Sequence, residues 1–404
     1  MPTSRASKKP SLRQLVLTSL YIGVTGYGGP AIIAQIKRIY VERGQWVDER
    51  LFLTGLSLSQ MLPGATSMNL LEFLSCQVYG GWAALLTPML MIAPAFFLMT
   101  ALSAVYFAFG NVPLVQALFT GLGAVVVALL LNATYSLGRS ALKDFWSVLI
   151  AVLAFTLRQF LHLHVLLVAA AAAGAGLALY YGRIAPHDAA PHHKSVAVNG
   201  KSVFTGRRLF RFCLAAIALF SLVIVWVVYR KSLGVEVFSA LTRVGLLTFG
   251  GGYAAVPLFQ HEAVSAHHWL TVRQFLDGIA LGQITPGPVL ITSAFIGYHL
   301  LGIPGAFLGT LAIFAPSCSL MFVLARKHDM ITKAAWAQGM IGGVVAGYIG
   351  ILAGVIIYLA GNSLTDWRTI ALFLAALPVL ILWKKDPLWV ILGGAALSLI
   401  LFHH

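Results

Sequence analysis

The sequence predicts an all-α, polytopic membrane protein in two homologous halves, and three observations carry that prediction. Of 404 residues, 59% are hydrophobic and only 10% charged, against about 25% charged in a soluble domain. A soluble fold of this composition would expose more apolar surface than water tolerates. The apolar residues lie in runs near the ~20 residues that cross a bilayer as helix. Finally, one stretch occurs twice: residues 46–64 (WVDERLFLTGLSLSQMLPG) and 269–287 (WLTVRQFLDGIALGQITPG) share nine of nineteen residues without a gap. Repetition at a fixed offset marks a duplicated chain.

Read by apolar runs, spans are expected at 13–33, 51–77, 82–108, 113–136, 145–160 and 163–181. A polar stretch at 182–208 follows, and then spans at 209–229, 236–257, 274–300, 303–325, 334–360, 366–383 and 387–402. That makes about thirteen transmembrane segments, within a range of 10–14, with those near 30 and 250 read as broken or re-entrant candidates. The expected organisation is a first repeat at 1–181, a linker plus one extra span at 182–235, and a second repeat at 236–404. An odd number of crossings between equivalent points inverts the second copy, the plan of many secondary transporters. The N-terminus has basic residues before Leu15–Val24, like a secretory signal. It runs into Thr25-Gly26-Tyr27-Gly28-Gly29-Pro30 instead of a small-x-small site, and is read as a retained first span.

The net charge of +15 is clustered between the apolar runs: Arg5, Lys8, Lys9; Arg139, Lys143; Arg207, Arg208, Arg211; Arg326, Lys327, Lys333; Lys384, Lys385. This is the positive-inside pattern and not a nucleic-acid face. A cytoplasmic N-terminus puts most of these clusters inside, but leaves Lys37, Arg38, Arg43 and Arg230, Lys231 outside. Cys76, Cys213 and Cys318 are isolated in apolar sequence and read as small buried hydrophobes.

Each copy carries Gln-x-x-Pro-Gly inside an apolar run: Gln60, Pro63, Gly64 and Gln283, Pro286, Gly287, with Pro288 following. Proline lacks a backbone donor and clashes with the preceding turn, and glycine frees the adjacent dihedrals. Together they break a membrane helix, which is tolerated only where protein or water satisfies the freed groups. The half-helix after each break would aim free N–H groups and a positive dipole end inward. Two such ends make an anion site, to which Gln60, Gln283, Thr66, Ser67, Asn69, Thr292 and Ser293 add donors. The alternative is a kinked helix packed by small residues. The glycine runs Gly28, Gly29, Pro30 and Gly250, Gly251, Gly252 are read as path-lining or as tight packing. They do not match a dinucleotide fingerprint.

Charges inside membrane spans are costly and invite functional readings. Arg243 could supply a fixed positive charge for a dianion, or snorkel to an interface. Glu72 could carry a coupling proton or pair with a base. Glu262 is a second proton-coupling candidate, with a solvated interfacial position as its expected setting. His187, His192 and His193 read as a solvated linker, and His261, His267 and His268 as interfacial. No Ser/His/Asp set, paired carboxylates or HExxH anchors an enzyme, an intramembrane enzyme on lipid or quinone being the remote alternative. No metal or cofactor is expected.

These residues resemble the chromate ion transporter family, in its two-domain form. The second half matches closely over Phe249 to Pro288, with Arg243 before and Gly297-Tyr298 after. The first half matches at Gly28-Gly29-Pro30, Trp46, Phe52, Gln60, Leu62-Pro63-Gly64, Thr66 and Met68. Ala65 in place of a second proline, Tyr27 in place of phenylalanine, and Glu72 depart from the pattern. The resemblance implies a secondary active transporter of the bacterial inner membrane that exports chromate, in exchange for protons, and confers chromate resistance. Sulfate or another tetrahedral oxyanion is the alternative substrate. A homodimer is left open.

Overall fold

The computed structural model describes residues 10–180, 233–325, 335–383 and 385–402. The expected linker, the extra span at 209–229, Cys213, the linker histidines and the basic clusters at 207–211, 230–231 and 326–333 lie outside them.

The first half contains α1 (Leu12–Thr25), α2 (Gly29–Lys37, continued by a π-helical turn Arg38–Arg43), α3 (Glu49–Met61), α4 (Thr66–Tyr79), α5 (Gly81–Phe109), α6 (Pro113–Ala141), α7 (Phe145–Gln159) and α8 (Val165–Tyr180). The second half repeats this order. It contains α9 (Leu233–Leu247), α10 (Val256–Gln260, continued by a π-helical turn His261–Ala266), α11 (Val272–Ile284), α12 (Thr292–Leu324), α13 (Ala335–Ser363), α14 (Trp367–Ile381) and α15 (Pro387–Phe402). Helix α12 corresponds to α4 and α5 run together. Its kink at Gly302 (φ 64°) falls where Gly80 (φ 91°) separates those two. Among the described residues, four apolar stretches are long enough to cross a membrane: 81–109, 113–141, 289–324 and 336–363. At 1.5 Å per residue a 29-residue helix is ~43 Å long, beyond the ~30 Å hydrocarbon core.

Four expected spans, at 13–33, 51–77, 236–257 and 274–300, are helical hairpins instead of straight rods. In the first, the chain turns at Gly26–Gly28, and Gln35 Nε2 returns to donate to Thr25 Oγ1 at 2.6 Å. In the second, Gly55 of α3 lies against Phe73 of α4, with Pro63-Gly64 at the tip. In the third, Arg243 meets Glu262 and Glu236 meets His267 across the turn. In the fourth, Gly278 meets Phe295 and Gly282 meets Thr292, with Pro286-Gly287 at the tip. A hairpin returns its chain to the end it left. The Tyr79 hydroxyl at the close of α4 donates to the Pro10 carbonyl before α1, and Tyr40 meets Ser75. Lys37, Arg38 and Arg43 therefore share the N-terminal end of the molecule. Their expected placement on the opposite side is corrected, because a hairpin contributes no crossing.

The halves are inverted. Helices α6 and α13 occupy equivalent places, yet α6 residue Gly123 packs on Ser363 and Leu137 packs beside Val345 and Tyr348. Rising numbers on one helix meet falling numbers on the other, so equivalent helices run antiparallel. The packing is reciprocal: Gly121 of α6 meets Ser398 of α15, and Gly343 of α13 meets Gly176 of α8. Each half thus closes its core with the other's last helices.

Candidate functional site at the paired helix breaks

At the first tip α3 stops at Met61, because Pro63 cannot extend the hydrogen-bond ladder. Gly64 takes φ +91°, which only glycine adopts without strain. Its N–H donates to the Thr248 carbonyl at 2.8 Å, in the break that follows α9. At the second tip Gly287 takes φ +112°, and its N–H donates to the Gly26 carbonyl at 2.7 Å, in the break that follows α1. Tyr27 and Gly287 form an isolated parallel bridge. Each half thus satisfies the backbone group that the other's break leaves open. This is the condition under which a membrane interior tolerates irregular chain. The space is also tight, more so at Gly64. A methyl group at Gly64 would lie 2.5 Å from Ser317 Oγ, and one at Gly287 would lie 3.1 Å from the Ala95 methyl.

Helix α4 starts at Thr66 with no side-chain cap, so its first N–H groups face the tip. Asn69 Nδ2 donates back to the Pro63 carbonyl at 3.0 Å, bracing the loop. A 3₁₀ turn, Val289–Ile291, leads from Pro288 into α12, where Thr292 Oγ1 donates to the Val289 carbonyl at 2.9 Å. Gln283 is buried. Its Oε1 accepts from the Tyr253 hydroxyl at 3.0 Å, while its Nε2 has no partner. Ser293 Oγ is buried and also unpartnered. Two donors beside the second tip are therefore unused. A buried unpaired donor costs roughly 1–3 kcal/mol. Gln60, equivalent to Gln283, is exposed, so the two glutamines are not interchangeable. Ser67 is buried beneath the first tip, Thr66 is half-buried and Pro30 is exposed. Gly28 and Gly251, 223 positions apart, both take positive φ, and Gly250 packs on Val345. Gly29 and Gly252 open the segments that follow the two breaks.

Two expectations about charge are corrected. Glu262 is only 4% exposed, and the Arg243 guanidinium binds it through two of its nitrogens, Nε to Oε1 at 3.3 Å and Nη2 to Oε2 at 2.9 Å. Glu262 is therefore not solvated, and the Arg243 charge is already committed. His267 continues the chain, with Nε2 3.3 Å from Glu262 Oε2 and Nδ1 2.5 Å from Glu236 Oε1. This network ties α9 to the turn after α10 in place of a free cation at the tips. His261, expected at an interface, is buried, and its Nε2 lies 2.9 Å from His164 Nε2 on the loop before α8.

Glu72 is fully buried on α4, with the Cys318 thiol as the polar neighbour of its carboxyl group. Sequence reasoning missed Asp277 and Tyr106, which meet where α5 of the first half reaches α11 of the second. The available signal was an acid within an apolar run, opposite Thr54 in the repeat. Among the described residues no group of three or more His, Cys, Asp or Glu is arranged to hold a metal ion.

An inverted duplication whose broken helices meet tip to break is an architecture of membrane transporters. Comparison with known proteins narrows this class. The family model described as chromate transporter matches residues 13–177 and 235–399, and the chain belongs to the chromate transporter family. A chromate transport protein of Cupriavidus metallidurans is 31% identical over 98% of this chain and 95% of its own. A probable chromate transport protein of Synechococcus elongatus is 30% identical over 96% and 95%. An uncharacterised transporter of Methanocaldococcus jannaschii is 28% identical over 93% and 90%. No solved structure matches the chain.

Proposed function

We propose that this transporter carries a tetrahedral dianion of the chromate class out of the bacterial cytoplasm, across the inner membrane, in exchange for protons, and so confers chromate resistance. The observation that carries the reading is the second tip. Gln283 Nε2 and Ser293 Oγ are buried donors without partners, set beside a Pro-Gly turn that opens a helix. Free donors at a helix start hold an oxyanion without requiring a buried cation. The first tip, its counterpart in the inverted repeat, carries the uncapped start of α4. Rocking of the halves would expose the tips alternately to each side. The named relatives support chromate as the substrate. A cytoplasmic N-terminus agrees with the basic residues 37–43 lying at the Pro10 end. Glu72 is the proton-coupling candidate on that side.

Everted membrane vesicles test the reading. Chromate accumulation that depends on a proton gradient and resists excess sulfate is the expected result. Sulfate transport without chromate transport would replace the substrate and keep the architecture. Pro63→Ala and Pro286→Ala should each abolish accumulation while the protein still reaches the membrane. Wild-type rates in both would remove the tips from the site.

A further inference from the structure

The second half contains an acid that the packing does not explain. Asp277 of α11 is 2% exposed. Its Oδ2 accepts from the Tyr106 hydroxyl of α5 at 2.7 Å, and its Oδ1 has no partner. A carboxylate retained for structure would be paired, because an uncompensated buried charge is strongly destabilising. Arg273, one turn earlier on the same helix, binds the Gln116 carbonyl at 3.0 Å and Thr120 Oγ1 at 3.1 Å on α6 and forms no ion pair with Asp277, though its charge is near enough to act on it. His299 of α12 stacks on Phe107, the neighbour of Tyr106. Glu262 and His267, in the turn packed against α11, are held by Arg243 and Glu236. Helix α6 has only Tyr135 and Arg139 as ionisable residues, both in its last turns. Helix α13 has only Tyr348 and Tyr358, and α15 has none.

The repeat provides an internal control. Arg50 stands where Arg273 does, but Thr54 stands where Asp277 does. The same hairpin therefore forms without an acid at this position. One carboxylate and one hydroxyl converge here, too few oxygens for a hard metal cation, which takes about six or more. A lone acid buried within a transporter is the residue type that relays protons. Its place in the fold fits that role. Asp277 lies between the second tip and the end of the molecule opposite Pro10, and Glu72 lies between the first tip and the Pro10 end. A buried acid thus stands on either side of the tips.

We propose that Asp277, oriented by Tyr106, is a proton-binding site loaded from the side opposite the N-terminus. One proton binds at Oδ1, because Oδ2 is occupied by the tyrosine, and it leaves from the same oxygen later in the cycle. This rests on the transporter reading, with the proton as coupling ion.

Two measurements on the full-length protein test it. A pH-difference infrared spectrum of purified protein reads protonated carboxyls directly, without transport. Asp277→Asn should delete one such band, and Asp277→Glu should retain a shifted one. In proteoliposomes, Asp277→Asn should lower gradient-driven chromate accumulation at least about tenfold, while chromate–chromate counterflow stays within about twofold of wild type. Tyr106→Phe should move the midpoint of the pH–rate profile. An unchanged band in Asp277→Asn overturns the proposal. So does wild-type gradient dependence, or loss of counterflow together with accumulation. If the wild-type protein moves no chromate at all, the substrate reading fails, and the infrared band still decides Asp277.

Discussion

Arg243 shows how a residue's neighbours redefine its chemistry. In the sequence it is a cation inside an apolar run and invites an anion. In the fold its side chain is 44% exposed and bridges the 6% exposed side chain of Glu262. Removing one partner of a buried pair strands the other, and the exposure of the arginine screens part of that cost. Arg243→Gln should therefore destabilise the protein by about 1–2 kcal/mol. Adding Glu262→Gln should recover most of the loss, with a coupling energy of about 1 kcal/mol in a double-mutant cycle of thermal stability in detergent. Transport should recover with it. A stable but inactive double variant would return Arg243 to the anion path. The pairing was illegible in the sequence because the two residues are 19 positions apart with a helix break between them. Asp277 was legible in principle, as the acid of one copy where the other has threonine.

Elements repeat here down to their capping and their strain. Asp144 opens α7 and Asp366 opens α14, each with a capping box closed by Ser147 or Thr369. Replacing either aspartate by alanine should cost about 1 kcal/mol. The Thr369 backbone N–H holds the Asp366 carboxyl below its ordinary value. Its cap is thus complete at neutral pH and is lost only as pH falls through that lowered value, a fall in melting temperature that Asp366→Ala should not show. The tips are less tolerant. Gly64→Ala would place a methyl group in a left-handed conformation and against Ser317, whereas Gly287→Ala meets only the Ala95 methyl at 3.1 Å. The backbone term alone is about 1–2 kcal/mol. Both variants should lose transport, with Gly64→Ala the less stable in a melting assay. Wild-type activity in Gly64→Ala would mean that the tip does not need its turn. The Pro-Gly signal was readable because only proline and glycine break an apolar helix at so short a spacing. The hairpins near 30 and 250 were open as re-entrant candidates, but those at the Pro-Gly tips were counted as crossings, since a run of ~20 apolar residues has the same composition whether it crosses the bilayer or turns halfway.

At the scale of the molecule, inversion makes the two breaks mutually dependent. Gly64 answers Thr248 and Gly287 answers Gly26, and the equivalence of those pairs at an offset of 222–223 residues is what a two-fold relation between halves produces. The sequence reached inversion by counting crossings, and treating both hairpins of a half as crossings changes that count only by an even number; the extra span on which its odd parity rests, 209–229, lies outside the described residues. The structure reaches it separately, through the antiparallel course of α6 and α13. A direct consequence concerns the loops that follow these helices. Lys143 and Thr365 are exposed at equivalent places, 222 residues apart. If α6 and α13 both span the membrane, these positions emerge on opposite faces. In a chain whose own cysteines are replaced, a single cysteine at Lys143 should react with an impermeant maleimide only in everted vesicles, and one at Thr365 only in intact spheroplasts. Labelling of both from one face would show a parallel duplication, and the tips would then have no means of alternating between the two sides.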